Sequence, residues 1–254
     1  MENNNPDFIF QEARMLPIIM MLDCSGSMDG EKINALNIAV KDFIISLQKN
    51  ETRKVVYGTA IYTFSGNGVQ NILPLKNVKD FDVHKDLQTM TADGQTPMGE
   101  ALQTVKQFIN EEEAFKRCYR PIIMVVSDGA PNDSWEKPLD EFVNEGRTSR
   151  CERYAVSIGA DRGTEQYDVL LKFTGDPEKI YDADQVVKIS RFFKTISKSI
   201  VKANQNGNIN KIEKPNFDEE ETSSSKADAD YRANLKAVYE KEDFDDDDDD
   251  FYHV

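Results

Sequence analysis

Two short apolar runs, Leu16 to Leu22 and Pro121 to Ser127, each lead directly into an aspartate, Asp23 and Asp128. A strand with one face in water alternates apolar and polar residues, so a run apolar at nearly every position must be covered on both faces. That requirement places both runs at the centre of a parallel sheet with helices packed on either side. In such folds the carboxyl ends of the strands open into a crevice where strand order reverses. If the two runs are neighbours, both acids point into one crevice.

The rest of the chain alternates in the same sense. Ile33, Leu36, Val40, Phe43, Ile44 and Leu47 recur at helical spacing, and Lys54 to Phe64 is rich in Val, Tyr, Thr and Ile, as a strand is. Gly66-Asn67-Gly68 is a turn into a short strand, Val69 to Leu75, which makes a hairpin and one antiparallel edge strand. Thr96 is expected to cap a helix that has Pro97 at its first position and Ala101, Leu102, Val105, Phe108 and Ile109 on its buried face. A helix is expected from Ser134 to about Glu145, a strand over Arg153 to Ile158, a short helix near Glu165 to Phe173 and a small strand near Ile180. Asp184 is expected to cap a last helix carrying Val186, Ile189, Phe193, Ile196 and Ile200 on one face. The fold class is therefore α/β with a mainly parallel sheet.

The chemistry gathers where the two runs end. Asp23-Cys24-Ser25-Gly26-Ser27-Met28 puts one carboxylate and two hydroxyls at alternate positions on a glycine-containing turn. Thr96 adds a third hydroxyl, and Ser127-Asp128-Gly129 a second carboxylate. Ser25, Ser27 and Thr96 supply neutral oxygens, and Asp23 and Asp128 supply charge directly or through water. Magnesium takes few carboxylates and keeps several waters, which suits this set, and manganese fits as well. Neutral direct ligands leave such an ion electrophilic, able to accept a carboxylate from a protein partner. An isolated Asp-x-Ser-x-Ser is as often an ordinary turn; the conjunction with Thr96 and Asp128 is what carries the metal reading. Alternation aims Cys24 away from the ligands into packing, while Trp135 stands at the rim or in packing, and Phe192 and Phe193 belong to the core.

These segments resemble a von Willebrand factor A domain, whose metal-ion-dependent adhesion site combines Asp-x-Ser-x-Ser with a threonine and an aspartate from two further loops. The resemblance covers about Leu16 to Lys202. It implies a Rossmann-like three-layer fold and the ligand set Asp23, Ser25, Ser27, Thr96 and Asp128. Within the superfamily the chain is similar to the bacterial TerY-like tellurite-resistance group, on Leu16-Pro17-Ile18, on Ser127 through Trp135, and on Phe192-Phe193-Lys194 with Ile196 to Ile200. That likeness implies a non-enzymatic interaction module of a stress-response or defence system, with a protein kinase or a type-2C-like phosphatase as partner. Two other readings stand beside it: an adaptor subunit of an AAA+ ATPase, and a magnesium-dependent phosphotransferase using Asp23 as nucleophile. Against the last, Ser25 replaces the usual second acid and no lysine stands in an appropriate motif.

Charge and composition narrow the rest. The net charge is −15, of which residues 217–254 carry −11, with 15 acidic and 4 basic residues. The remaining 216 residues are nearly balanced, 31 acidic against 27 basic. Such a charge disfavours nonspecific binding to nucleic acid or anionic membranes. The A domain is expected over residues 1–203. Residues 204–254 are expected to be a disordered acidic tail, because they cannot bury enough apolar area to offset chain ordering. Within that tail Tyr231, Leu235, Val238 and Tyr239 form the stripe of a short amphipathic segment at 228–240, suited to docking on a partner or on the domain itself. The opening Met1-Glu2-Asn3-Asn4-Asn5 has no basic flank or signal core, and Cys24, Cys118 and Cys151 form neither a disulfide framework nor a zinc pattern, so a cytoplasmic location is expected. His84 and His253 are the two histidines, and neither sits in a catalytic motif.

Overall fold

The fold is described from a computed structural model, which describes residues 13–209 apart from Arg53, Ala160, Asp161 and Asp184. The expected cap at Asp184, and the tail segment at 228–240 with the acidic run beyond it, lie outside the described residues. Six strands form one sheet: β1 (Arg14–Asp23), β2 (Val55–Ser65), β3 (Gly68–Asn77), β4 (Ile122–Ser127), β5 (Glu152–Ile158) and β6 (Ile180–Ala183). Their spatial order is β3-β2-β1-β4-β5-β6. All neighbours are parallel except β2 and β3, which form the expected hairpin around Gly66-Asn67, with Ser65 opposite Gly68. The chain winds outward from β1 in one direction and then in the other from β4. The reversal therefore falls between β1 and β4, the strands that carry Asp23 and lead into Asp128.

Six helices complete three layers: α1 (Glu31–Asn50), α2 (Val83–Asp86), α3 (Met98–Glu111), α4 (Glu136–Asn144), α5 (Glu165–Thr174) and α6 (Val186–Gln205). The central strands separate two cores by the period-2 rule. Leu16, Ile18, Met20 and Leu22 of β1 face α1 and α6, while Ile19 and Met21 face α3, α4 and α5. Helix α1 buries Ile33, Leu36, Val40, Phe43, Ile44 and Leu47, the stripe legible in the sequence. Helix α6 lies beside it, and Phe43 and Phe193 meet with ring centroids 5.5 Å apart. Phe192 and Phe193 are both core residues. Trp135 is half-buried and packs on the core under α3 and α4. After α6 the chain turns through Gly207, at φ +71°, and Ile209 is buried with 4% exposure.

One local expectation is corrected. Helix α3 begins at Met98, with Pro97 in the cap position, and the Thr96 side chain caps nothing. The cap comes from another loop: the Asp133 carboxylate accepts hydrogen bonds from the Gly99 and Glu100 N–H groups at 3.0 and 2.9 Å. A carboxylate satisfies two orphan donors and complements the helix dipole better than a hydroxyl does. The close approach demands glycine at 99, where an added Cβ would lie 2.7 Å from the Ser134 carbonyl oxygen.

Candidate metal centre

Three loops at the carboxyl end of the sheet build the centre. The first follows β1, where Gly26–Met28 coils into a single 3-10 turn before α1 opens at Gly30, whose φ of +77° suits glycine. That coil brings Ser25 and Ser27 to the same side, with their hydroxyl oxygens 3.1 Å apart. The second loop carries Thr96 and is tied to the third, since the Thr96 N–H donates to the Asn132 side-chain oxygen at 3.1 Å. In the third loop, Ser127 and Asp128 close β4, and Gly129 follows.

Asp23 is entirely buried. Its Oδ1 accepts the Ser25 N–H at 2.8 Å and its Oδ2 accepts the Ser127 hydroxyl at 2.6 Å. Burial pushes this carboxyl above its ordinary range, opposed by the bonds from Ser127 and Ser25, while the nearby Asp128 charge adds to the rise. Asp23 thus knits the two central strand ends together and holds the turn that presents Ser25. Cys24 points the other way into the core, as alternation requires, and burial raises its thiol to about 12.

The Asp128 side chain has no solvent exposure. Its Oδ1 accepts from the Ser27 hydroxyl at 2.6 Å. Its Oδ2 is held at 2.5 Å by the Lys32 ammonium, which also donates to the Ser27 carbonyl oxygen at 3.0 Å. Lys32 is the functional neighbour that sequence reasoning missed. It sits on the first turn of α1, in no motif, and its partner lies 96 residues along the chain. Ser127 and Gln166 are two more such supports, with the Gln166 amide donating to the Ser127 carbonyl oxygen at 3.1 Å.

The donor set fits a small hard cation. With oxygen ligands at about 2.0–2.1 Å, adjacent ligands of a magnesium octahedron stand roughly 2.9 Å apart. The Ser25 and Ser27 hydroxyls already have nearly that spacing. Gly129 lies beside them: a Cβ there would stand 3.6 Å from the Thr96 hydroxyl and 3.9 Å from that of Ser27, which brings these two hydroxyls to one spot. All five expected residues thus come to one place. Among the described residues no cluster of three or more His, Cys, Asp or Glu forms a metal site, as expected for a set dominated by hydroxyls.

Asp133→Ala tests how the Thr96 loop is held. It removes the carboxylate under two α3 amides, so stability falls by about 1 kcal/mol in urea unfolding. Magnesium affinity measured by calorimetry falls by about tenfold, as for loss of an outer support of a metal ligand. An unchanged affinity would show that Asn132 alone fixes Thr96.

A family profile described as von Willebrand factor type A domain matches residues 18–198. A von Willebrand factor A domain-containing protein of Dictyostelium discoideum is 26% identical over 201 residues, covering 74% of this chain and 20% of its own length. The chain thus spans about a fifth of the curated relatives it matches. Among solved structures, the open pilus adhesin SpaC from Lactobacillus rhamnosus GG superposes with a TM-score of 0.63 at 17% identity, over 76% of this chain and 30% of that one. Proximal thread matrix protein 1 from the mussel byssus, solved with a zinc-occupied MIDAS motif, gives 0.55 at 17% identity, over 74% and 48%. At these identities the likeness is one of fold.

Proposed function

The chain belongs to the von Willebrand factor type A domain family, and from that premise we propose that it is a non-enzymatic, divalent-cation-dependent module that binds a protein partner through the centre formed by Asp23, Ser25, Ser27, Thr96 and Asp128. Domains of this family commonly serve interaction and adhesion. The observation that carries the metal reading is the pair of Ser25 and Ser27 hydroxyls at ligand spacing beside Asp128. A zinc-occupied MIDAS in the byssus protein of like fold supports a divalent cation here, and the neutral donors favour magnesium or manganese. When bound, the ion supplies a Lewis-acidic position for a partner's carboxylate. The chain's own residues do the rest: Asp23 fixes the strand ends and the Ser25 turn, Ser25, Ser27 and Thr96 offer neutral oxygens, and Asp128 adds charge while Lys32 holds its outer oxygen.

A phosphotransferase reading gains one point, since Lys32 places an ammonium beside the acids as phosphate chemistry would use it. The binding reading accounts for more. Asp23, the nucleophile such a reaction needs, is fully buried, with each oxygen occupied by a hydrogen bond. The TerY-like resemblance supports a bacterial stress or defence role with a kinase or type-2C-like phosphatase as partner. The three cysteines are free thiols, consistent with a reducing, cytoplasmic setting. Among the described residues no helix is long and apolar enough to cross a membrane.

The test is capture from native cells by the full chain in 2 mM (about) magnesium or in excess EDTA, on the scale set by typical affinities of such ions. The expected result is a partner retained with magnesium, lost with EDTA and lost with Asp128→Ala. A partner retained equally under all three conditions would remove the metal from recognition.

A further inference from the structure

The opposite end of the sheet holds a cationic cavity. Between the segments that lead into β4 and β5 lies a cavity of about 780 Å³, within the size of a small-ligand or peptide pocket. Four cations line it, Lys116, Arg120, Arg147 and Arg150, and no acidic residue does so among the described residues. Its floor is apolar, with Phe115 buried and Tyr119 half-buried. Arg147 is pinned, its guanidinium donating to the Ile109 and Glu112 carbonyl oxygens at 3.0 and 3.2 Å. Lys116 pairs with Glu113 at exposed positions outside the cavity wall, a kind of pair that contributes little and exchanges readily. Arg120 lines the cavity while paired with Glu152, a mostly buried carboxylate that Lys179 also holds.

We infer that this cavity binds the acidic-aromatic segment Phe244 to Tyr252 of the same chain, the aspartates meeting the cations and an aromatic ring resting on Phe115 and Tyr119. The segment is Phe-Asp-Asp-Asp-Asp-Asp-Asp-Phe-Tyr, six carboxylates flanked by rings. It matches the cavity in both charge and apolar character. A run of like charge without rings would need only the cations, and an apolar peptide only the floor; the cavity offers both.

The path of the chain supports this occupant over a foreign acidic peptide. Helix α6 ends at the same end of the sheet: the Asn204 amide donates to the Tyr57 hydroxyl at 2.8 Å, near the start of β2. The start of β1 links that point to the cavity. The Arg14 N–H donates to the Lys54 carbonyl oxygen, the Tyr119 N–H donates to that of Met15 at 2.8 Å, and the Arg14 guanidinium lies 5.5 Å from the Tyr119 ring centre. Three strand spacings from β2 to β5 amount to roughly 15 Å. The 34 residues between Ile209 and Phe244 can reach up to about 110 Å at full extension, far more than that distance. Joining site and segment in one chain raises the effective concentration of the segment, so weak contacts suffice. This inference does not depend on the metal centre, which stands at the other end of the strands.

Zero-length carbodiimide cross-linking of the full chain, read by peptide mass spectrometry, tests it. Lys116 is expected to link to aspartates of 245–250 at 20 mM salt (about a 20 Å screening length), and the yield to fall at least about fivefold at 500 mM, where screening shortens to about 4 Å. Arg120→Glu with Arg150→Glu lowers the yield by a similar factor while circular dichroism stays native. Should that variant misfold, hydrogen exchange of the full chain with Asp245 to Asp250 changed to Asn replaces it: exchange over 115–121 and 147–150 rises at least about threefold. Linkage of Lys116 to Glu113 alone, a yield indifferent to salt, or heavy-to-light links in isotope-mixed protein would each overturn docking within one chain.

Discussion

Asp128→Ala is expected to give no measurable heat of magnesium or manganese binding, an affinity loss of at least about 100-fold, with native far-ultraviolet circular dichroism. The size follows from what the carboxylate does. Asp128 is one of only two acids at the centre, and its Oδ1 stands against the Ser27 hydroxyl. The other acid, Asp23, has both oxygens committed to holding strand ends. Removing Asp128 leaves the Lys32 ammonium beside the hydroxyls without its carboxylate partner, so a divalent ion would meet repulsion there. Loss of an outer support alone typically costs 10–100-fold in metal affinity, and a charged member of the set costs more. The fold survives because β4 is anchored by its buried apolar run, not by this side chain. Unchanged metal binding in this variant would falsify the assignment of the centre.

Gly94→Val has the largest effect on stability, a loss of about 2–5 kcal/mol in urea unfolding. Gly94 adopts φ +63°, and a Cβ there would lie 2.4 Å from the Gly66 Cα and 3.0 Å from its nitrogen. Both neighbours are backbone, so neither can swing aside. The contact is stitched on every side: Gly66 N–H to Asp93 O at 2.8 Å, Gly26 N–H to Gly94 O at 3.0 Å, and Asp93 N–H to Cys24 O at 2.8 Å. Forcing a branched side chain between the Gly66 hairpin turn and the loop carrying Thr96 strains the Gly26–Gly94 bond that ties that loop to the Ser25 turn. Metal affinity therefore falls together with stability. A Gly94→Val protein within about 0.5 kcal/mol of the parent, the range of neutral surface changes, would show that the two loops are not held in this contact.

How much of this could be read beforehand depends on how local each cause is. The paired apolar runs required a covered parallel sheet, and the structure has β1 beside β4 with Asp23 and Asp128 at their ends. The α1 stripe and the Gly66-Asn67 hairpin were legible because helical period and turn chemistry act within a few residues. Thr96 stands just before the expected helix but does not cap it. A threonine before Pro97 reads as a cap, whereas the cap is Asp133, 34 residues from Gly99. Lys32 escaped notice, and Ser127 was read only as part of the Asp128 turn, because a lone lysine or serine has meaning only once its distant carboxylate is known. The cationic cavity was invisible for the same reason, since Lys116 and Arg150 belong to different turns that only the β4–β5 pairing brings side by side.

The bonds that define the metal centre span 96, 101 and 104 residues, from Lys32 and Ser27 to Asp128 and from Ser127 to Asp23. Closing loops of that length comes late and slowly in folding, after local helices and the hairpin exist. A nascent or partly opened chain therefore has the hydroxyls of the Ser25 turn but not the centre. On the proposed function, cation affinity would report whether both halves of the sheet have met, and a bound ion would stabilise only the completed fold, by an amount that grows with its concentration. On that same function, the face that would meet a partner is complete only once both halves of the sheet have assembled.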